Sequence, residues 1–148
     1  LPTRRSADLQ LPHLDAFNAK RRELARVYFE LFAAPAVRAL GLQLPVADFT
    51  QSNWHMFQVV LPEERLTIKR GEVMAQLHAA GIGTGVHYPA IHRFAVYRRL
   101  GWKDGDFPIA ERVCRTIFTS RVFPAMTTAA RYRAGSCLPH WASIRSMP

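Results

Sequence analysis

Between Leu14 and Ala34 the apolar residues Leu14, Phe17, Leu24, Val27, Tyr28, Leu31 and Phe32 return at the spacing of one helical face. Lys20, Arg22, Glu23, Arg26 and Glu30 mostly take the opposite face, and Pro35, which cannot continue a helix, ends the run. A helix of this length with a single apolar stripe has to bury that stripe against another element, so the rest of the chain must supply an apolar surface to receive it. The basic cluster Lys20-Arg21-Arg22 reads as the solvated face of this helix.

The segments that could form that surface are short. Met56 to Leu61 is rich in strand formers and is stopped by Pro62, and Leu42-Gln43-Leu44 is a second short strand candidate. A helix is predicted from Thr67 to Ala80 with Val73, Met74 and Leu77 inward; Gly71 weakens it by up to ~1 kcal/mol relative to alanine, and Gly81 suits its C-terminal cap. Gly83 to Pro89 reads as a short strand leaving a tight turn, where glycine lets the backbone bend or a ligand approach. A short helix follows from Phe94 to Leu100, ending at Gly101. Asp106 is the expected N-cap of another, with Pro108 in its first turn and Ile109, Val113, Ile117 and Phe118 as an inward stripe to about Thr119. Val122-Phe123-Pro124 is the last strand candidate, and beyond Thr127 the apolar pattern fades. Strands this short and few do not build a large parallel sheet. The expected class is α+β: a small antiparallel or mixed sheet packed with helices, over residues 13–127, with a loose lead-in at 1–12 and a divergent tail at 128–148.

A chain of 148 residues, 49% hydrophobic, has enough apolar material for one core. No apolar run approaches the roughly 20 residues of a membrane span, and Arg4-Arg5 is not followed by the apolar stretch of a secretory signal; a cytoplasmic protein is the expectation. Cys114 and Cys137 lack metal-type spacing, and Cys114, among Val113, Ile117 and Phe118, reads as a small buried thiol. The net charge of +9 comes mostly from arginine, the only lysines being Lys20, Lys69 and Lys103. That balance suits nucleic acid, an anionic surface or a phosphate-bearing ligand without choosing among them.

Several chemistries can be weighed on spacing. His55, His87 and His92 could in principle hold zinc, but no helical H-x-x-x-H pair is present and a proline separates His87 from His92; no metal site is expected. Ser52, Thr84 and Ser120 have no nucleophile-elbow context. Gly81-Ile82-Gly83-Thr84-Gly85 precedes a strand rather than opening a helix and lacks the Lys-Ser/Thr of a phosphate-binding loop. What remains is a loop presenting His87, Tyr88 and His92 as exposed groups able to bond sugar hydroxyls or phosphates, with a rigid connecting turn as the equal alternative. His55, opening an apolar strand, is expected to be hydrogen-bonded and mostly buried.

Five motifs in order carry a resemblance. Leu11 to Arg22 is similar to a long post-linker helix; Trp54-His55-Met56-Phe57 to a W-H-x-[FY] strand; and Gly81-Ile82-Gly83-Thr84-Gly85-Val86-His87-Tyr88-Pro89-Ala90-Ile91-His92 to a G-I-G-T-G-V-H-Y-P-x-x-H loop. Asp106 to Arg112 and Phe123 to Thr127 complete the set. Together, His13 to Thr127 resembles the C-terminal small domain of the DegT/StrS-type sugar-nucleotide aminotransferases. These are pyridoxal-phosphate (PLP) enzymes of fold type I that make amino sugars for lipopolysaccharide, O-antigen and antibiotics. Ser120-Arg121 stands where the family often has Leu-Pro, and Arg131 to Pro148 does not keep the apolar pattern of its last helix.

The resemblance implies that His87 and Tyr88, with His92, face a sugar-nucleotide substrate in a cleft between two domains, and that His55 supports their loop. It also implies that the cofactor lysine and the residues holding the PLP ring belong to a large domain lacking here, so no residue of this chain is assigned to catalysis or cofactor binding. Amino transfer needs that lysine, and the domain alone is not expected to transaminate. Two other readings stand beside this one: a free-standing sugar-nucleotide binding or interaction module, and a nucleic-acid binder, against which the arginines are scattered and no known motif is present. A small domain without its partner exposes apolar surface, so a homo-oligomer is expected.

Overall fold

The computed structural model of the chain describes residues 9–121. Residues 9–13 already turn helically and run into α1 (Leu14–Phe32). The second half of α1 carries the burial: Leu24, Ala25 and Phe32 are buried, and Tyr28 and Phe29 pack beside them. Its first turns stand clear, with Leu9, Leu11 and Leu14 exposed. The expected stripe is therefore used only from its middle onward. Pro35 does more than end the helix, because it opens a second short one, α2 (Pro35–Arg38), after a two-residue break.

Three strands form one sheet in the order β1-β3-β2, both pairings antiparallel. β1 (Met56–Val60) alternates as the strand period demands: Phe57 and Val59 are fully buried, while Met56, Gln58 and Val60 are half-buried. Gln43 forms an isolated bridge to Val60, all that remains of the strand candidate at 42–44. β2 is only Thr84–Gly85. α3 (Arg70–Ala79) lies between β1 and β2 in sequence, burying Val73 and Leu77. It ends as expected: Gly81 takes a left-handed φ of 79°, and the Ile82 amide reaches back to the Leu77 carbonyl at 2.8 Å.

Residues 91–93 form a 3-10 turn that leads to α4 (Ala95–Arg98), and α5 (Pro108–Thr116) passes directly into β3 (Ile117–Arg121). This corrects the sequence reading, in which the helix runs to Thr119. Ile117 and Phe118 keep helical spacing from Val113, but Ile-Phe-Thr-Ser is also a run of strand formers. Pairing with two neighbours decides in favour of the strand. Asp106 is not the N-cap either; Phe107 precedes the helix, and Asp106 Oδ2 instead accepts the Lys103 amide at 2.9 Å. The strand candidate at 122–124, Cys137 and the tail lie outside the described residues.

The core fills one face of the sheet. Phe118, opposite Val59 in the ladder, is fully buried with Phe57, Leu24, Val73 and Leu77. Phe29, Phe32, Phe49, Trp54 and Phe57 contact one another ring to ring at 5.2–5.9 Å between neighbours such as Phe29–Phe57 and Phe32–Phe57. Each fully buried large apolar side chain is worth roughly 1.5–3 kcal/mol. Among the described residues no helix is long and apolar enough to cross a membrane. Cys114 is half-buried rather than enclosed, which corrects the reading of it as a buried thiol.

Candidate functional site

Directly opposite residues of neighbouring strands share a sheet face. Gly85 and Thr119 are such a pair, on the face away from Phe118 and the helical core. The chain leaves β2 at Gly85 and presents His87 and Tyr88 immediately beyond. His87 is half-buried, with Nδ1 hydrogen-bonded to Thr119 Oγ1 at 3.0 Å. Tyr88 is 70% exposed, and its ring stands edge-on to the imidazole with centroids 5.2 Å apart. The His87–Tyr88 peptide bond is cis. These two are brought together as a polar and aromatic pair at the sheet edge.

His92 is not exposed as the sequence reading has it. It is buried, and its Nε2–H donates to Glu111 Oε1 at 2.9 Å. Glu111 Oε1 also accepts the Gly105 amide at 2.7 Å, and Oε2 accepts Arg93 Nη2 at 3.2 Å. Arg93 and Arg98 both donate to Asp104 Oδ1 at 3.1 Å. This cluster ties the 3-10 turn, α4, the 103–106 turn and α5 into one unit that follows the His87 loop in sequence. The Gly105 amide holds the Glu111 carboxyl below its ordinary range; burial pushes it up, and the His92 bond and Arg93 charge push it further down.

His55 is also misplaced by the sequence reading. It is exposed, with Nδ1–H on Asn53 Oδ1 at 3.2 Å, and β3 lies between its strand and β2. The three histidines weighed as zinc ligands do not converge. Among the described residues the ligand-type atoms that do are those of His92, Asp104 and Glu111, all within 4.8 Å. Their oxygens already accept Arg93, Arg98, His92 and Gly105, and two guanidinium groups supply the positive charge there. This is an ion-pair cluster by its donor set.

The lysines do not fit the aldehyde end of PLP. Lys20 Nζ pairs with Glu23 Oε2 at 2.8 Å on the flank of α1, Lys69 is exposed ahead of α3, and Lys103 is exposed in a turn. A Schiff-base lysine has to sit against the ring, shielded and aimed at the reacting carbon. Two clefts of about 580 and 360 Å3 open elsewhere, against the start of α3 and beside α2, and neither is lined by His87 or Tyr88. Of the pair, Tyr88 faces solvent and His87 is partly covered. In the segment that follows, Ile91, Val96, Leu100, Trp102 and Ile109 are large apolar side chains left uncovered, Leu100 and Ile109 by more than 70%.

Sequence spacing alone does not identify Thr119, Glu111, Arg93 or Asp104. Each works through a partner 11 to 32 residues away, and the only local signal is an unusual density of opposite charges between Arg93 and Glu111.

The family model described as the DegT/DnrJ/EryC1/StrS aminotransferase family matches residues 7–138. The chain is 32% identical to the uncharacterized protein MJ1066 of Methanocaldococcus jannaschii over 120 residues, covering 80% of this chain and 30% of that one. Among solved structures it is similar to S. venezuelae DesV in complex with a ketimine intermediate (TM-score 0.74, 30% identity, 91% of this chain and 34% of that). It also shares the fold of DesI, determined in the presence of its TDP-sugar product (TM-score 0.74, 23% identity, 92% and 34%). The chain spans about a third of the length of these relatives.

Proposed function

This chain belongs to the DegT/DnrJ/EryC1/StrS aminotransferase family, and from that premise we propose that it is the small-domain part of a sugar aminotransferase. His87 and Tyr88 are its contribution to the site for a keto-sugar nucleotide, in a cleft that a large domain completes. The observation that carries this reading is their position: a hydrogen-bonded imidazole and an exposed phenol just beyond an edge strand, in a chain whose 88–109 segment leaves large apolar side chains uncovered. Surface of that kind is covered by a partner. The TDP-sugar of DesI supports the ligand class. Through Glu111, His92 holds the segment that follows.

The family is PLP-dependent, and bound PLP supplies the electron sink for amino transfer. The lysines here do not fit it, so this part binds and orients substrate while the imine-forming lysine comes from the large domain. The isolated chain does not transaminate; it self-associates through the uncovered apolar surface, in the cytoplasm. Against the nucleic-acid reading, Arg70, Arg93, Arg98 and Arg115 are engaged with acceptors of the chain itself.

Thermal melting tests the reading. A TDP-sugar at tenfold its Kd is expected to stabilise the chain by about 1.4 kcal/mol, a rise of a few degrees, and His87→Ala to abolish the rise. No rise at saturating TDP-sugar, or a Schiff-base absorbance on adding PLP, sinks it.

A further inference from the structure

The glycine of β2 has a use that a turn does not explain. Gly85 sits across the ladder from Thr119, and His87 follows two residues later, where the strand period returns to the same face. The imidazole folds back over the bare Cα of Gly85: a Cβ there would lie 3.0 Å from Cε1 and 3.6 Å from Nδ1 of His87. Nδ1 meets the Thr119 hydroxyl, which belongs to a residue buried at 3% exposure. Among the described residues that hydroxyl has no other hydrogen-bond partner, and neither has His87 Nε2.

We propose that Gly85 and Thr119 are positioning residues for His87: Gly85 provides the seat for the ring, and the Thr119 hydroxyl sets its rotation so that Nε2 is the nitrogen left for a ligand. A hydroxyl can donate or accept, and among the described residues Nδ1 is the one partner this hydroxyl has. On this proposal the hydroxyl donates to Nδ1, and the neutral ring then carries its own hydrogen on Nε2. His87 then offers an outward N–H, suited to a ligand oxygen: a sugar hydroxyl, a carbonyl or a phosphate. The seating stands without any ligand; its use in recognition rests on the function proposed above.

Two readouts keep these apart. In the labelled chain, a nuclear Overhauser contact from His87 Hε1 to the Gly85 α-protons is expected in the native protein and in Thr119→Ser, and is lost in Thr119→Val. Thr119→Ala, which removes the hydroxyl without adding bulk, gives the same loss if valine disturbs the sheet. In titrations with a TDP-sugar, Thr119→Val is expected to weaken binding about tenfold and Thr119→Ser less than twofold, while Thr119→Val on a His87→Ala background changes nothing further. Persistence of the contact without the hydroxyl, or an equal loss of affinity with and without His87, overturns the proposal. Loss of the contact in a protein that binds no TDP-sugar upholds the seating and overturns the substrate reading.

Discussion

The sheet with its packed helices and the segment 85–111 are held by different forces. In the former, α1 and α3 close over Phe57, Val59 and Phe118 with an aromatic cluster that leaves almost no apolar surface in water. In the latter, residues 85–111 are tied by charge, through His92, Arg93, Arg98, Asp104 and Glu111, while the large apolar side chains of the same segment stay outside. Burial stabilises the first region; in the second, apolar groups are withheld from the fold and ion pairs take their place as ties. Apolar surface not spent on folding remains for binding.

The widest gap between the regions should appear on cutting into the core. Phe118→Ala is expected to cost about 3–5 kcal/mol in urea denaturation, melting both regions together because β3 belongs to both. Glu111→Gln should act locally: amide exchange across residues 91–106 speeds at least tenfold while that of β1 stays unchanged. Equal acceleration in β1 would mean that the two regions are one cooperative unit.

Acid sharpens the same contrast. A carboxyl held below its ordinary value of 4.5 stabilises the fold fully above that pH and loses its contribution as pH falls through the lowered folded value. Protection of residues 91–106 is therefore expected to be flat from neutrality to about pH 5 and to drop below 4.5, a drop that Glu111→Gln reduces. Asp48, lowered by the Gln51 and Thr50 amides and the Thr50 hydroxyl, adds the same sign elsewhere, so exchange must be followed residue by residue. The smallest effect belongs to the uncovered surface. Leu100→Ser or Ile109→Ser should shift stability by no more than ~0.5 kcal/mol, yet reduce self-association in light scattering.

Much of the core region is legible in the sequence, because it follows periodicity: the Leu24–Phe32 stripe, the Phe57/Val59 alternation, and Val73 with Leu77 ahead of the Gly81 cap. The α+β class follows from the same patterns. The other region is legible only as motif. The His87-Tyr88 pair is visible in G-V-H-Y-P, but nothing local tells that His92 turns inward to a carboxylate 19 residues later, or that His55 stays out on Asn53. The α5–β3 boundary is obscured for a related reason: Ile117 and Phe118 satisfy both the helical and the strand period, and only pairing with Val60 and Val59 selects one.

That boundary has no loop. Thr116 ends a helix and Ile117 begins a strand, and the Arg70 guanidinium grips the carbonyls of Cys114 and Ile117 on either side of the joint. The ion cluster at one end of this continuous rod and the threonine under the imidazole at the other are thus set at a fixed distance and angle, with no slack residue to take up a tilt. A tilt of α5 is therefore shared by the backbone of β3, which carries Thr119, and by the Glu111 ties to residues 92–105.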